Sequence, residues 1–149
     1  MSLTGSLFAL IIAAVAGVTM ALQGAMNSGL GKVIGLLQAT LVVHLTATIA
    51  VLILIFGLRV GDGDFGKFAQ VPWYYYLGGL LGVLITYGVV ASMPKVGVAN
   101  ATAAIIVGQV SAAFIIDCLG MFGLEKVAFA WFKLVGLGLL AAGAKILLN

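Results

Sequence analysis

The sequence predicts an all-α integral membrane protein with five transmembrane helices per chain. Three observations carry that prediction. Of 149 residues, 64% are apolar. Seven Lys/Arg and four Asp/Glu make only 7% of the chain charged, against roughly 25% in an average soluble domain, too few to cover a soluble globule. The charges also leave stretches between them that match the roughly 20 apolar residues needed to cross a hydrocarbon core of about 30 Å. We read the whole chain, 1–149, as one membrane domain.

The first span follows from residues 1–31, which hold no charged side chain; it covers about 3–22, extends toward 30, and ends before Lys32. It lacks the basic leader of a signal peptide and is expected to stay in the mature protein. The second covers 39–58, where His44 is the one titratable group. Arg59 to Pro72, with Asp62, Asp64 and Lys67 among glycines, is the most polar connection. The third runs over 73–93, opened by Trp73-Tyr74-Tyr75-Tyr76 and stopped by Pro94 and Lys95. The fourth covers 97–119. The fifth covers 128–148, with Trp131 near its start and Lys133 able to snorkel. Tryptophan and tyrosine at these edges suit the headgroup level. The alternation expected of transmembrane strands is absent from the sequence.

Polar residues recur at helical spacing inside three spans. Thr19, Gln23 and Asn27 are four apart on span one; Thr40, His44 and Thr48 are four apart on span two. On span four Thr102 and Gln109 are seven apart, with Asp117 eight further on. Such spacings put each set along one helix side. Polar groups are costly in hydrocarbon and should face protein or water. Thr19, Gln23, Asn27, His44, Thr48, Tyr87 and Gln109, with Thr86, are therefore expected to line one wet cavity. His44 and Asp117 are the candidates for proton coupling. The alternatives are a neutral His44 bonded to Thr40, Thr48 or a facing helix, and an Asp117 that is a solvated interfacial acid or pairs with a lysine across a dimer. Gln109 fits either a substrate contact or an interhelical hydrogen bond, and Cys118 fits small-residue packing. Gly78, Gly79 and Gly82 on span three, and Gly136, Gly138, Ala142 and Gly143 on span five, mark faces where helices could approach closely.

One His and one Cys exclude a zinc cluster or a disulfide scaffold. The sequence has no phosphate loop, nucleophile elbow or metal-ligand cluster, so we expect no enzyme activity, no cofactor and no metal. Its basic residues stand singly, which argues against nucleic acid.

Five spans place Arg59, Lys67, Lys126 and Lys133 on one side and Lys32, Lys95 and Lys145 on the other. Four against three gives the positive-inside rule almost nothing to act on. Two copies inserted oppositely would make an antiparallel dimer of ten helices, the inverted-repeat geometry of secondary transporters.

The stretch Ala91-Ser-Met-Pro-Lys-Val-Gly-Val-Ala-Asn-Ala-Thr-Ala, then Gly108-Gln109 and Asp117-Cys-Leu-Gly-Met-Phe-Gly-Leu, resembles the drug/metabolite transporter superfamily. Within it the chain is most similar to the small YdcZ-like proteins of bacterial inner membranes. Leu22-Gln-Gly-Ala-Met-Asn and Pro72-Trp-Tyr-Tyr-Tyr-Leu-Gly-Gly-Leu-Leu-Gly fit the same group. The resemblance spans nearly the whole chain. It implies a half-transporter that pairs in antiparallel fashion with a second copy of itself or with a paralogous half-transporter. The related small multidrug-resistance proteins use a Glu in their first helix for proton exchange; span one here carries Thr19, Gln23 and Asn27 instead, so no catalytic Glu is carried over.

The expectation is thus a small-molecule transporter of the bacterial inner membrane, an exporter working by alternating access. A non-transporting structural or regulatory subunit and a passive channel are the alternatives. The absence of a strong acid or base in the expected cavity favours neutral, zwitterionic or aromatic substrates over highly charged ones.

Overall fold

The computed structural model describes residues 3–148; residues 1, 2 and 149, the ends of the expected domain, lie outside it. Among the described residues every regular element is helical. Five α-helices follow in order: α1 Leu3–Ile34, α2 Leu36–Leu52, α3 Leu77–Val96, α4 Val98–Leu119 and α5 Trp131–Leu147. Large apolar side chains lie open along their length: Phe8, Leu41, Leu84 and Leu139 are each more than half exposed. That surface is compatible with lipid and not with water.

Four helical stretches are long and apolar enough to cross a membrane: Gly5–Ile34, Leu36–Gly57, Trp73–Val96 and Val98–Leu119. The second is α2 plus a π-turn, Ile53–Gly57, in which Leu58 N–H reaches back to the Ile53 carbonyl at 2.9 Å. The third begins as a 3₁₀ turn, Trp73–Tyr76, before α3. The fifth expected span is a helix at the expected place, but its 17 residues cover only about 26 Å at about 1.5 Å per residue.

Several expected boundaries move; α2, for one, begins at Leu36 instead of 39. Lys32 does not end the first helix but sits in its last turn, where a cation suits the carbonyl end of the dipole. Pro94 does not stop the third; it withdraws one N–H from the last turn, and α3 closes two residues later at Val96. The fifth starts at Trp131 instead of 128, after extended backbone at Ala130.

What ends α1 and α3 is glycine. Gly35 (φ 97°, ψ 158°) and Gly97 (φ 88°, ψ 159°) each form the N-cap of the next helix, in a conformation L-residues rarely adopt. Gly35 N–H closes onto the Gly31 carbonyl at 3.0 Å, and the Gly35 carbonyl accepts from Ala39 N–H at 3.0 Å. The Gly97 carbonyl likewise accepts from Ala101 N–H at 3.1 Å. One residue therefore suffices to connect α1 to α2, and one to connect α3 to α4. The two breaks share a sequence pattern, Gly35-Leu-Leu-Gln-Ala-Thr40 and Gly97-Val-Ala-Asn-Ala-Thr102, and in each the alanine is buried.

The chain forms two compact units, the first through Lys95 and the second from Val96. In the first, α1 and α2 pack together. α1 meets α3 through glycine: a Cβ at Gly24 would lie 2.6 Å from Met93 Cε and 3.0 Å from Val89 Cγ1, and one at Gly31 would overlap Val90 Cγ1. Val90, Met93 and Ala39 are the buried apolar residues here, joined by Ser28 and Thr40. In lipid, such close backbone approach supplies the van der Waals contact that holds helices together.

In the second unit, α4 packs against α5. Gly120 closes α4, and the following segment folds back so that Val127 N–H reaches the Asp117 carbonyl at 2.9 Å. Phe114 and Phe129 meet with ring centroids 5.8 Å apart. An apolar cleft of about 330 Å³ lies among Ala103, Ile106, Leu139, Gly143 and Leu147.

Candidate functional site

The packed face of α1 is Gly24, Ser28 and Gly31, spaced four and three. The polar stripe lies beside it. At about 100° per residue, Asn27 is offset from Gly24 by about 60°, Gln23 by about 100° and Thr19 by about 140°. Exposure follows the rotation: Asn27 is half-buried, while Gln23 and Thr19 are open. The Thr19 hydroxyl donates to the Val15 carbonyl at 2.9 Å, within its own helix.

The stripe on α2 behaves the same way. Thr40 is buried, His44 half-buried and Thr48 exposed, so this line also runs from the packed interior to the open surface. Each member bonds one turn back: the Thr40 hydroxyl to the Leu36 carbonyl at 2.9 Å, His44 Nδ1 to the Thr40 carbonyl at 2.8 Å, and the Thr48 hydroxyl to the His44 carbonyl at 2.8 Å. Side chains that satisfy themselves this way lower the cost of polarity inside a membrane span.

The His44 contact fixes a chemical detail. A carbonyl oxygen only accepts, so Nδ1 carries the hydrogen, and in the neutral ring Nε2 is left with a lone pair. That nitrogen faces α3 where Gly82 leaves room; a Cβ at Gly82 would stand 3.5 Å away. Of the alternatives for His44, the bond within its own helix to Thr40 is present, and it leaves one ring nitrogen able to accept a proton or a ligand hydrogen bond. Thr86, one turn along α3 from Gly82, is half-buried, and Tyr87 is 40% exposed. The first unit thus contains the α1 stripe, the α2 stripe and the α3 residues.

Gln109 and Asp117 lie on α4 in the second unit, the former exposed and the latter half-buried. Thr102 Oγ1 is buried there without a hydrogen-bond partner. Cys118 is free and half-buried. Among the described residues no group of three His, Cys, Asp or Glu comes close enough to hold a metal ion.

Sequence reasoning missed Ser28, whose hydroxyl is buried at 6% exposure with no partner. The small residues at 24, 28 and 31 were the available signal, since that spacing marks a close-packed face. The twice-used Gly-x-x-(Gln/Asn)-Ala-Thr pattern was the other; in its first copy the Gln38 side chain folds back toward Gly35.

A family model described as "Putative inner membrane exporter, YdcZ" (DMT_YdcZ) matches residues 8–146. No curated protein and no solved structure matches the chain significantly. The match takes in all five helices apart from the outermost residues of α1 and α5, and it agrees with the apolar, membrane-length helices of the fold. The chain belongs to the YdcZ family of inner-membrane exporters and is a multi-pass protein of that membrane.

Proposed function

We propose that two copies of this chain, inserted in opposite orientations, form a ten-helix exporter of small molecules that works by alternating access. One observation carries the reading: both polar stripes of the first unit leave its packed interior and end on surface that this unit does not cover. Gln23 on α1 would be costly against lipid acyl chains and calls for protein or water opposite it, while Thr19 and Thr48, whose hydroxyls are already bonded one turn back, continue the same open lines. A second copy supplies both. α5 is taken as the fifth span, its about 26 Å of helix extended by the snorkelling Lys133 and Lys145.

In this reading Thr19, Gln23, Asn27, His44, Thr48 and Gln109 contact substrate, and Tyr87 forms an aromatic wall. His44 Nε2 and the Asp117 carboxylate are the sites for proton exchange. The near-even division of basic residues supports dual insertion. The route is polar and weakly charged, which suits neutral, zwitterionic or aromatic compounds.

Topology tests the proposal. A single cysteine is placed near the C-terminus of a Cys118→Ala variant and labelled in intact cells with a membrane-impermeant reagent, before and after permeabilisation. About half the copies labelled beforehand is the expected result. Labelling of all copies, or of none, before permeabilisation would overturn the homodimer in favour of a separately encoded, oppositely oriented partner or a non-transporting subunit.

A further inference from the structure

The C-terminal ends of α1 and α3, with the first residue of α2, enclose an open cleft of about 250 Å³ inside the first unit. Lys32 and Lys95 both line it; Gly31, Leu36, Val90, Ala91 and Pro94 make up the rest. None of the four acidic residues of the chain is in the lining, and among the described residues neither lysine has an ion-pair partner. Two cations with apolar walls between them select a ligand that is anionic at one end and apolar at the other. The position reinforces this, because each lysine sits in the last turn of a membrane-length helix, at the level of lipid headgroups.

We propose that this cleft is a binding site for an anionic phospholipid, with the phosphate held between Lys32 and Lys95 and the glycerol end of the acyl chains against Leu36, Ala91 and Pro94. The volume corresponds to about eight water molecules at about 30 Å³ each, enough for a phosphate and the first glycerol carbons, leaving the acyl chains in the bilayer. A free phosphate ion would leave the apolar walls unused. Basic pockets between transmembrane helices are a recurring means of holding such headgroups. The site is separate from the polar stripes and does not depend on the export reading.

The test is native mass spectrometry of the purified full-length protein in detergent, titrated with phosphatidylglycerol, phosphatidylcholine or inorganic phosphate. Wild type is expected to bind phosphatidylglycerol about thirtyfold more tightly than Lys32→Gln/Lys95→Gln, the effect of two lysines at an anionic headgroup. Lys32→Arg/Lys95→Arg and Lys145→Gln should bind as wild type does. Ala91→Trp, which fills the cleft and keeps both lysines, should lose binding, and it decides the matter if the glutamine variant fails to fold. Unchanged phosphatidylglycerol affinity in the glutamine variant or in Ala91→Trp overturns the site. Equal affinity for phosphatidylcholine overturns the role of charge, and competition by inorganic phosphate at equal concentration overturns the lipid in favour of a free anion.

Discussion

Gly31→Ala is the most direct probe of how the first unit is held together. The new methyl would overlap Val90 Cγ1, while Ala39 Cβ and Leu36 Cδ2 would stand at 3.8 Å, in ordinary contact. Val90 has no exposed surface, and a β-branched side chain in a helix has one strongly preferred χ1, so it cannot swing aside. Overpacking of this kind costs about 1–3 kcal/mol. Against that, replacing glycine by alanine inside a helix gains about 1 kcal/mol. Gly29→Ala removes the ambiguity. It lies in the same helix with nothing within 4 Å of its added Cβ, so it receives the propensity gain without the clash. The difference in unfolding free energy between the two variants, measured by reversible SDS titration in mixed micelles, should be about 1–3 kcal/mol. Most of it should vanish in a Val90→Ala background, as expected for residues in direct contact. Equal stability of the two variants, or a cost that persists without the valine side chain, would refute the packing assigned to α1 and α3.

Three further outcomes follow from the same geometry. Gly97→Ala and Gly35→Ala must adopt φ 88° and φ 97°, and each should lose about 1–3 kcal/mol; the close neighbour of a Cβ at Gly35, Gln38 Oε1 at 2.6 Å, ends an exposed flexible side chain that can move aside. Thermal unfolding in detergent reads both, and unchanged melting of either would remove backbone strain as the reason for glycine. Nitrogen-15 NMR of the imidazole should show the hydrogen of neutral His44 on Nδ1 in the wild type and in Gly82→Ala, whereas Gly82→Leu should disturb the Nε2 signal; a proton on Nε2 would contradict the contact with the Thr40 carbonyl. For export itself, His44→Ala with Asp117→Asn should abolish the dependence of substrate efflux on an imposed pH gradient, and efflux that keeps its wild-type pH profile would exclude both residues from coupling.

The membrane class and the order of the helices were legible because they rest on hydrophobic length, which survives any local detail. Ends were less legible. Lys32 and Pro94 look like stops by residue type, yet the helices run past both to Ile34 and Val96, since a lysine at the carbonyl end is favourable and a proline there removes a single bond. The true stops, Gly35 and Gly97, stand among many glycines, and apart from the short pattern that follows each, only the backbone angles mark them as breaks. The α2 stripe was readable from its spacing, but the bond between His44 and Thr40 was only one of the partners that spacing allowed. On α1 the eye goes to Thr19, Gln23 and Asn27, whereas Gly24, Ser28 and Gly31 form the contact; a packed face in lipid is made by small residues and gives a weaker signal than polarity.

The single-glycine link between α1 and α2 also bears on how the protein is made. A hairpin of two membrane helices ordinarily presents the insertion machinery with a polar loop, and the cost of carrying that loop across, or the pull that keeps it back, sets the direction of entry. Here there is no loop. Gly35 bonds forward and backward into the helices it joins, and Lys32, one turn earlier, is the only charge at the bend. The nascent hairpin therefore has no polar loop to carry across or to hold back, and the dual insertion proposed above would turn on the side chain of that one lysine.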